Sequence, residues 1–280
     1  YLSSIDEQNL LLSQIFQSLN TQSVNVKKKV LACLDYFIRT NLIFRSIISE
    51  DRLLIYNDEK LDQIKTEIMK DIRLYDEDIV ILCIDIIILI MRAFSPKSFD
   101  INSIQEVIML VFNAFKNSYY PIIYSFKLLI QIANNIEVNS LISDEIISAS
   151  ISFCESDAFS IKLKSVHFMS ILIQMTDNEH ACPIIENHPD IIEIFNDFLH
   201  TGDKILDCVI SSLCKIVDLS REQKIPISPF QIFNIIDIGF IKELQFNYEE
   251  DKDNLSILNL LSGIRYLVNT YDNLIQLEEN

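Results

Sequence analysis

Apolar positions return along this chain in a helical rhythm, six times over, with a spacing of roughly forty to fifty residues. Each return predicts an apolar helix, a short polar break and a longer amphipathic helix. The longer helices begin near Asn25, Asp78, Pro121, Ser160, Lys204 and Asn254. Taking Val26, Ile79, Ile122, Ile161, Ile205 and Leu255 as equivalent gives steps of 53, 43, 39, 44 and 50 residues. Eight positions further on stand Leu34, Ile87, Ile130, Met169, Leu213 and Gly263. Eleven positions on stand Phe37, Ile90, Ala133, Leu172, Ile216 and Tyr266. Columns three residues apart share one helix face, so these two predict the buried seam. Thirteen positions on, Arg39, Arg92, Asn135, Gln174 and Asp218 form a column that is polar until Val268 breaks it. It is expected to face solvent near the end of each longer helix.

The first helix of each pair is expected over Leu10 to Leu19, Leu61 to Leu74, Ile104 to Phe115, Ile142 to Phe153, Ile191 to Leu199 and Ile232 to Leu244. Short third helices are expected at Leu42 to Ser49, Ile136 to Leu141, Cys182 to Asn187 and Pro229 to Ile236. Punctuation agrees with this layout. Gly202 suits a left-handed helix end, Asp203 an N-cap, and Pro189 before Asp190 opens the helix that starts at Ile191. A fixed period on this scale marks stacked helical units, none of which can bury its apolar face alone.

A short helix followed by two longer ones, repeated at this period over essentially the whole chain, resembles the armadillo repeat and its close relative, the HEAT repeat. The resemblance implies an all-α, right-handed α-solenoid of about six repeats, with residues 1–280 as a single armadillo-like domain. It further implies a concave groove lined by the longer helices, taking a protein or peptide partner. The importin-alpha pattern places a Trp and then an Asn on each groove helix. The corresponding slots here hold Ala32 and Tyr36, Asp85 and Leu89, Leu128 and Ile132, His167 and Ile171, Ser211 and Lys215, Leu261 and Arg265. The chain has no Trp at all, so recognition of nuclear-localisation peptides in that manner is not expected. Candidate partner-binding residues are therefore Arg39, Arg92, Asn135, Gln174 and Asp218 of the polar column, with Tyr36, His167, Ser211 and Lys215 from the slots.

Composition sharpens this. Three Gly and six Pro in 280 residues leave too few turn residues for an all-β sandwich or a Gly-rich α/β fold. A formal charge of −17 sets the whole-molecule field against nucleic acid, while permitting a basic partner. Lys27, Lys28 and Lys29 read as a solvated turn of one helix. Six cysteines without a CxxC pair fit a reducing intracellular compartment, cytoplasmic or nuclear. The densest apolar run, Ile79 to Met91, falls short of the ~30 Å of hydrocarbon at ~1.5 Å per residue, so no membrane insertion is expected.

Chemistry is thin. His180, Cys182 and His188, in an expected inter-repeat loop, have zinc-ligand types but neither a known spacing nor a fourth ligand. No glycine-rich phosphate loop or activated nucleophile is present, so neither cofactor nor metal nor catalysis is expected. Tyr119, Tyr120 and Tyr124 are either packing residues or interface anchors. His167 reads as a packing histidine. The acidic stretch from Glu243 to Asp253 reads as a solvated loop. The functional expectation is a non-catalytic interaction scaffold or adaptor; a regulatory subunit, a transport carrier, or a helical enzyme with a site between repeats are the alternatives.

Overall fold

The computed structural model describes residues 10, 13–15, 17–45, 58–93, 99–134, 139, 143–201, 205–249 and 255–278. Among them there is no strand. The chain divides into two compact units, Tyr1–Ile136 and Glu137–Asn280.

In the first unit, helical residues between 10 and 19 precede α1 (Val24–Arg45). Next come α2 (Asp58–Asp71), continued by a 3-10 turn Ile72–Leu74, then α3 (Glu77–Ala93), α4 (Ile101–Ala114) and α5 (Tyr119–Ala133). The long helices α1, α3 and α5 stack side by side, and α2 and α4 each pack against the long helix that follows. The seam is apolar: Leu31, Leu34, Ile84, Ile87, Phe126 and Leu129 are all buried.

The second unit holds α6 (Asp144–Cys154), α7 (Phe159–Met175), α8 (Asn178–Asn187), α9 (Ile191–Leu199), α10 (Leu206–Arg221), α11 (Pro229–Ile235), α12 (Ile238–Glu249) and α13 (Leu255–Glu278). Here α7, α10 and α13 form the stack, with α6, α9 and α12 as packing partners. Small side chains let these helices approach. The Ser212 hydroxyl donates to the Ser170 carbonyl of α7 at 2.8 Å, and a Cβ placed on Gly263 would come within 2.7 Å of Ile210 Cγ2. That crossing explains why the seam column ends in glycine.

Helix starts are set by side chains that satisfy otherwise orphaned amides. Asp76, Asp100, Ser143, Asp177 and Asp237 each accept from a backbone N–H three residues on. Ser228 and Gln231 cap α11 reciprocally.

Six expectations need correction. The stretch Ile232 to Leu244 is two helices, because Ile236 is extended and Asp237 caps a new start; the Asp237 amide itself donates to Asn196 Oδ1 at 2.7 Å. The chain around His180 and Cys182 is helix α8, begun by Asp177, so the short helix expected at Cys182 to Asn187 is present and starts earlier, while the loop expected around His180 and Cys182 is absent. No break precedes Leu42, since α1 runs through to Arg45; residues 46–49 lie outside the described set. In the seam columns, Ile130, Gly263 and Tyr266 are only half-buried. On α5 the buried face runs through Ile122, Phe126, Leu129, Ile132 and Ala133, a phase one residue earlier than the column assumed.

The fifth correction concerns Lys27, which is buried. It pairs with the equally buried Asp71 at the end of α2, while Lys28 reaches Asp76 at 3.0 Å and Asp78 at 2.7 Å. Only Lys29 of the three is exposed. The sixth concerns the acidic stretch expected as a loop: Glu243 to Glu249 is the end of helix α12. Its remainder, Glu250 to Asp253, lies outside the described residues, as do Gly202, Asp203, Asn135 and most of Ile136 to Leu141.

Candidate functional site

On the long helices of the first unit, one stripe from each helix builds a continuous polar and aromatic strip. Helix α1 supplies the neighbours Asp35 and Tyr36 and, one turn later, Arg39. Helix α3 supplies Asp85, an acid set inside an otherwise apolar run, and Arg92 two turns later. Helix α5 supplies Tyr120, Tyr124, Lys127 and Gln131 at helical spacing.

Cross-helix bonds join the stripes. Arg39 Nε donates to Asp35 at 2.8 Å within α1, and its Nη2 reaches Asp85 on α3. Arg92 Nε donates to Gln131 Oε1 of α5 at 2.9 Å. Lys127 lies over the Tyr124 ring, with Nζ 3.8 Å from the centroid. The hydrogen bond from Arg39 to Asp35 raises the pKa of the guanidinium further, so it is always charged. Burial raises the Asp85 carboxyl, with the Arg39 charge opposing that rise. Burial, then the Asp85 charge, pushes the Tyr124 phenol up. The acids thus lie low between helices, while Arg39, Arg92, Lys127 and Tyr120 are exposed and Tyr36 is 72 % accessible.

The second unit treats the equivalent positions differently. Gln174 is exposed at the end of α7, and His167 and Ser211 are half-buried. Lys215 donates to the Thr176 carbonyl just past α7, and burial lowers its pKa. Asp218 accepts from the Tyr266 hydroxyl of α13, to which Arg221 Nη1 also donates at 3.2 Å. Lys215 and Asp218 therefore brace neighbouring helices as well as facing outward. Tyr36 and Arg39 are brought together in the first unit, and Arg92 is linked to them through α3. Asn135 lies outside the described residues.

The remaining candidates for chemistry have structural partners. His180 Nδ1 lies 2.7 Å from Asp177 Oδ1 at the start of α8, and His188 closes that helix. Among the described residues no three His, Cys, Asp or Glu side chains come together as a metal-binding group. All six cysteines are free thiols. Among the described residues no helix is long and apolar enough to cross a membrane.

Two solved structures share this architecture. One is a designed armadillo repeat protein, 12 % identical with a TM-score of 0.62, covering 92 % of this chain and 98 % of its own. The fold is an armadillo-type α-solenoid. The other, an engineered protein, is 8 % identical with a TM-score of 0.63, covering 94 % of this chain and 96 % of its own. No family model matches the chain, and no curated protein matches it significantly. Identities this low establish fold alone.

Sequence reasoning named Tyr36, Arg39 and Arg92 but missed Asp35, Lys127 and Gln131. Asp85, lone among twelve apolar neighbours from Ile79 to Met91, was the available signal: a carboxylate there needs a cation from the adjacent helix.

Proposed function

We propose that this chain is a non-catalytic protein-binding module, with residues 1–280 acting as one armadillo-like repeat domain. A partner segment is read by the outer faces of the long helices. Tyr36, Arg39 and Arg92 are the contacts in the first unit. His167, Gln174, Ser211, Lys215 and Asp218 are the candidate contacts on the long helices of the second unit, and Asn135, outside the described residues, is a further candidate. The observation that carries this reading is the strip on α1, α3 and α5, where exposed tyrosines alternate with fixed cations. Tyr and Arg provide rigid, amphipathic anchors at protein interfaces. Nothing inside the fold requires Tyr36 to be so accessible.

The test is site-specific crosslinking in the native cell extract. A photoreactive residue in place of Tyr36 should capture a discrete protein, and the same residue in place of Glu193 on α9 should not. Arg39→Glu in the Tyr36-labelled chain should reduce capture while helix content stays unchanged. Equal capture from both positions, or capture indifferent to Arg39→Glu, refutes the assignment.

A further inference from the structure

Charge is divided unevenly between the long helices and the rest of the chain. The six long helices α1, α3, α5, α7, α10 and α13 contain 12 Lys or Arg and 8 Asp or Glu, a net of +4. The rest of the chain contains 11 basic and 32 acidic residues, a net of −21. The packing helices and connections therefore carry the entire acidic excess. Within the first unit the long helices α1, α3 and α5 hold seven Lys or Arg against four Asp or Glu, whereas α2 and α4 hold Asp58, Glu59, Asp62, Glu67, Asp71 and Glu106 against Lys60, Lys65 and Lys70.

Screening makes this local division decisive. At physiological salt a charge is felt over ~8 Å, about one helix diameter. A segment lying on the long-helix face of the first unit meets Arg39, Arg92 and Lys127 at contact, while the packing helices on the other side are beyond that range. Asp78, two turns before Asp85 on the same face of α3, is exposed but paired with Lys28 of α1, and the acids beside the three cations are Asp35 and Asp85. Both lie lower than the cations, their side chains 16 % and 23 % exposed against 45 % for Arg39, and both are engaged by it. Tyr36 and Tyr120 add amphipathic surface on either side.

Deepening the protein-binding reading, we infer that the long-helix face of the first unit takes an acidic peptide segment, with carboxylates meeting Lys127, Arg92 and Arg39 and an apolar or aromatic residue against Tyr36 or Tyr120. The sign is opposite to the one that the molecule's net charge suggests. The acid-rich packing helices α2 and α4 then act as a selectivity element. A basic peptide is drawn to them, away from this face.

The experiment is selection of random dodecapeptides displayed on phage against the full chain, followed by anisotropy titrations of the enriched peptides labelled with fluorescein. Enriched sequences should be rich in Asp and Glu and contain an aromatic residue. Their affinity should drop about tenfold between 50 and 500 mM salt and about fivefold or more with Lys127→Glu, at an exposed position, with helix content and melting of the variant checked by circular dichroism. Glu193→Lys on α9 should leave it unchanged. Basic or neutral peptides that depend on Lys127 overturn the acidic assignment while leaving the protein-binding face intact. Peptides indifferent to Lys127→Glu, Arg92→Glu and Tyr36→Ala overturn both. Failure to enrich any peptide overturns the inference as well.

Discussion

Removing one half of the Lys27–Asp71 pair is the sharpest test of how the first unit is held together. The pair joins α1 to the end of α2, its side chains are 7 % and 1 % exposed, and Asp71 Oδ2 has no hydrogen-bond partner among the described residues. Lys27→Met leaves a buried carboxylate with neither charge partner nor solvent, which typically costs ~3–5 kcal/mol. Replacing both residues, as Lys27→Met with Asp71→Leu, removes the desolvation penalty along with the attraction and should recover most of that loss. Cys83 is a suitable reporter because it is fully buried in the same unit and close enough for the Asp71 charge to raise its thiol further. Its labelling by a thiol reagent in increasing urea follows the unfolding of this region directly. With a slope of about 2 kcal/mol/M, the single variant should unfold about 1.5–2.5 M earlier. Burial raises the Asp71 carboxyl above its ordinary 3.8, so folding disfavours the ionised form. The contribution of Asp71 is therefore most favourable below pH 3.8 and is lost as pH rises through the folded value. It follows that the Lys27→Met defect should shrink between about pH 7.5 and about pH 4.5. A single-variant loss under ~1 kcal/mol, a double variant costing the sum of the two singles, or a defect that grows in acid would refute this account.

Further expectations concern the second unit, the helix caps and the thiols. Gly263→Val places branched carbons against Ile210 and should cost ~1–3 kcal/mol in urea unfolding followed by circular dichroism; Gly263→Ala should cost less, because the helix gains propensity. Asp237→Ala removes the cap that starts α12 and should cost ~1 kcal/mol, with hydrogen exchange rising first at Phe240 and its neighbours. Asp100 and Asp177 are held below the ordinary carboxylate range, chiefly by bonds from Ser103 and His180. Their contribution is present above pH 3.8 and fades as pH falls through the folded values, so Asp100→Asn should flatten part of the acid limb of a melting-versus-pH curve. Cys33 is exposed and should react first with a thiol reagent in the folded chain, whereas burial raises Cys154 to about 11 and Cys214 to about 12 and should keep both inert.

Much of the fold was legible in the chain because burial in a helical stack imposes a strict period. All six long helices fall where the columns put them, and Leu34, Ile87, Met169 and Leu213 share a fully buried environment. Breaks were harder to see. Asp237 interrupts a pattern that stays apolar on both sides, and only its role as a cap separates α11 from α12. Charges were hardest. Lys27 and Lys28 are neighbours in a run, yet a rotation of about 100° per residue sends one into the protein and leaves the other near the surface. Their partners lie 44 and about 50 residues away, and no local pattern reports that distance. The candidate strip was half visible for the same reason: residues on one helix could be grouped, but the bonds joining α1 to α3 and α3 to α5 could not.

Arg39 already has two tenants. Any incoming carboxylate must compete with Asp35 and Asp85 for the same guanidinium, so the gain on association is a difference between two occupancies and not the full strength of a new bond. A lone carboxylate therefore gains little there. A ligand offering several, spaced to engage neighbouring helices at once, can outbid the residents, and the strip thereby acts as a threshold on the length and density of what it retains.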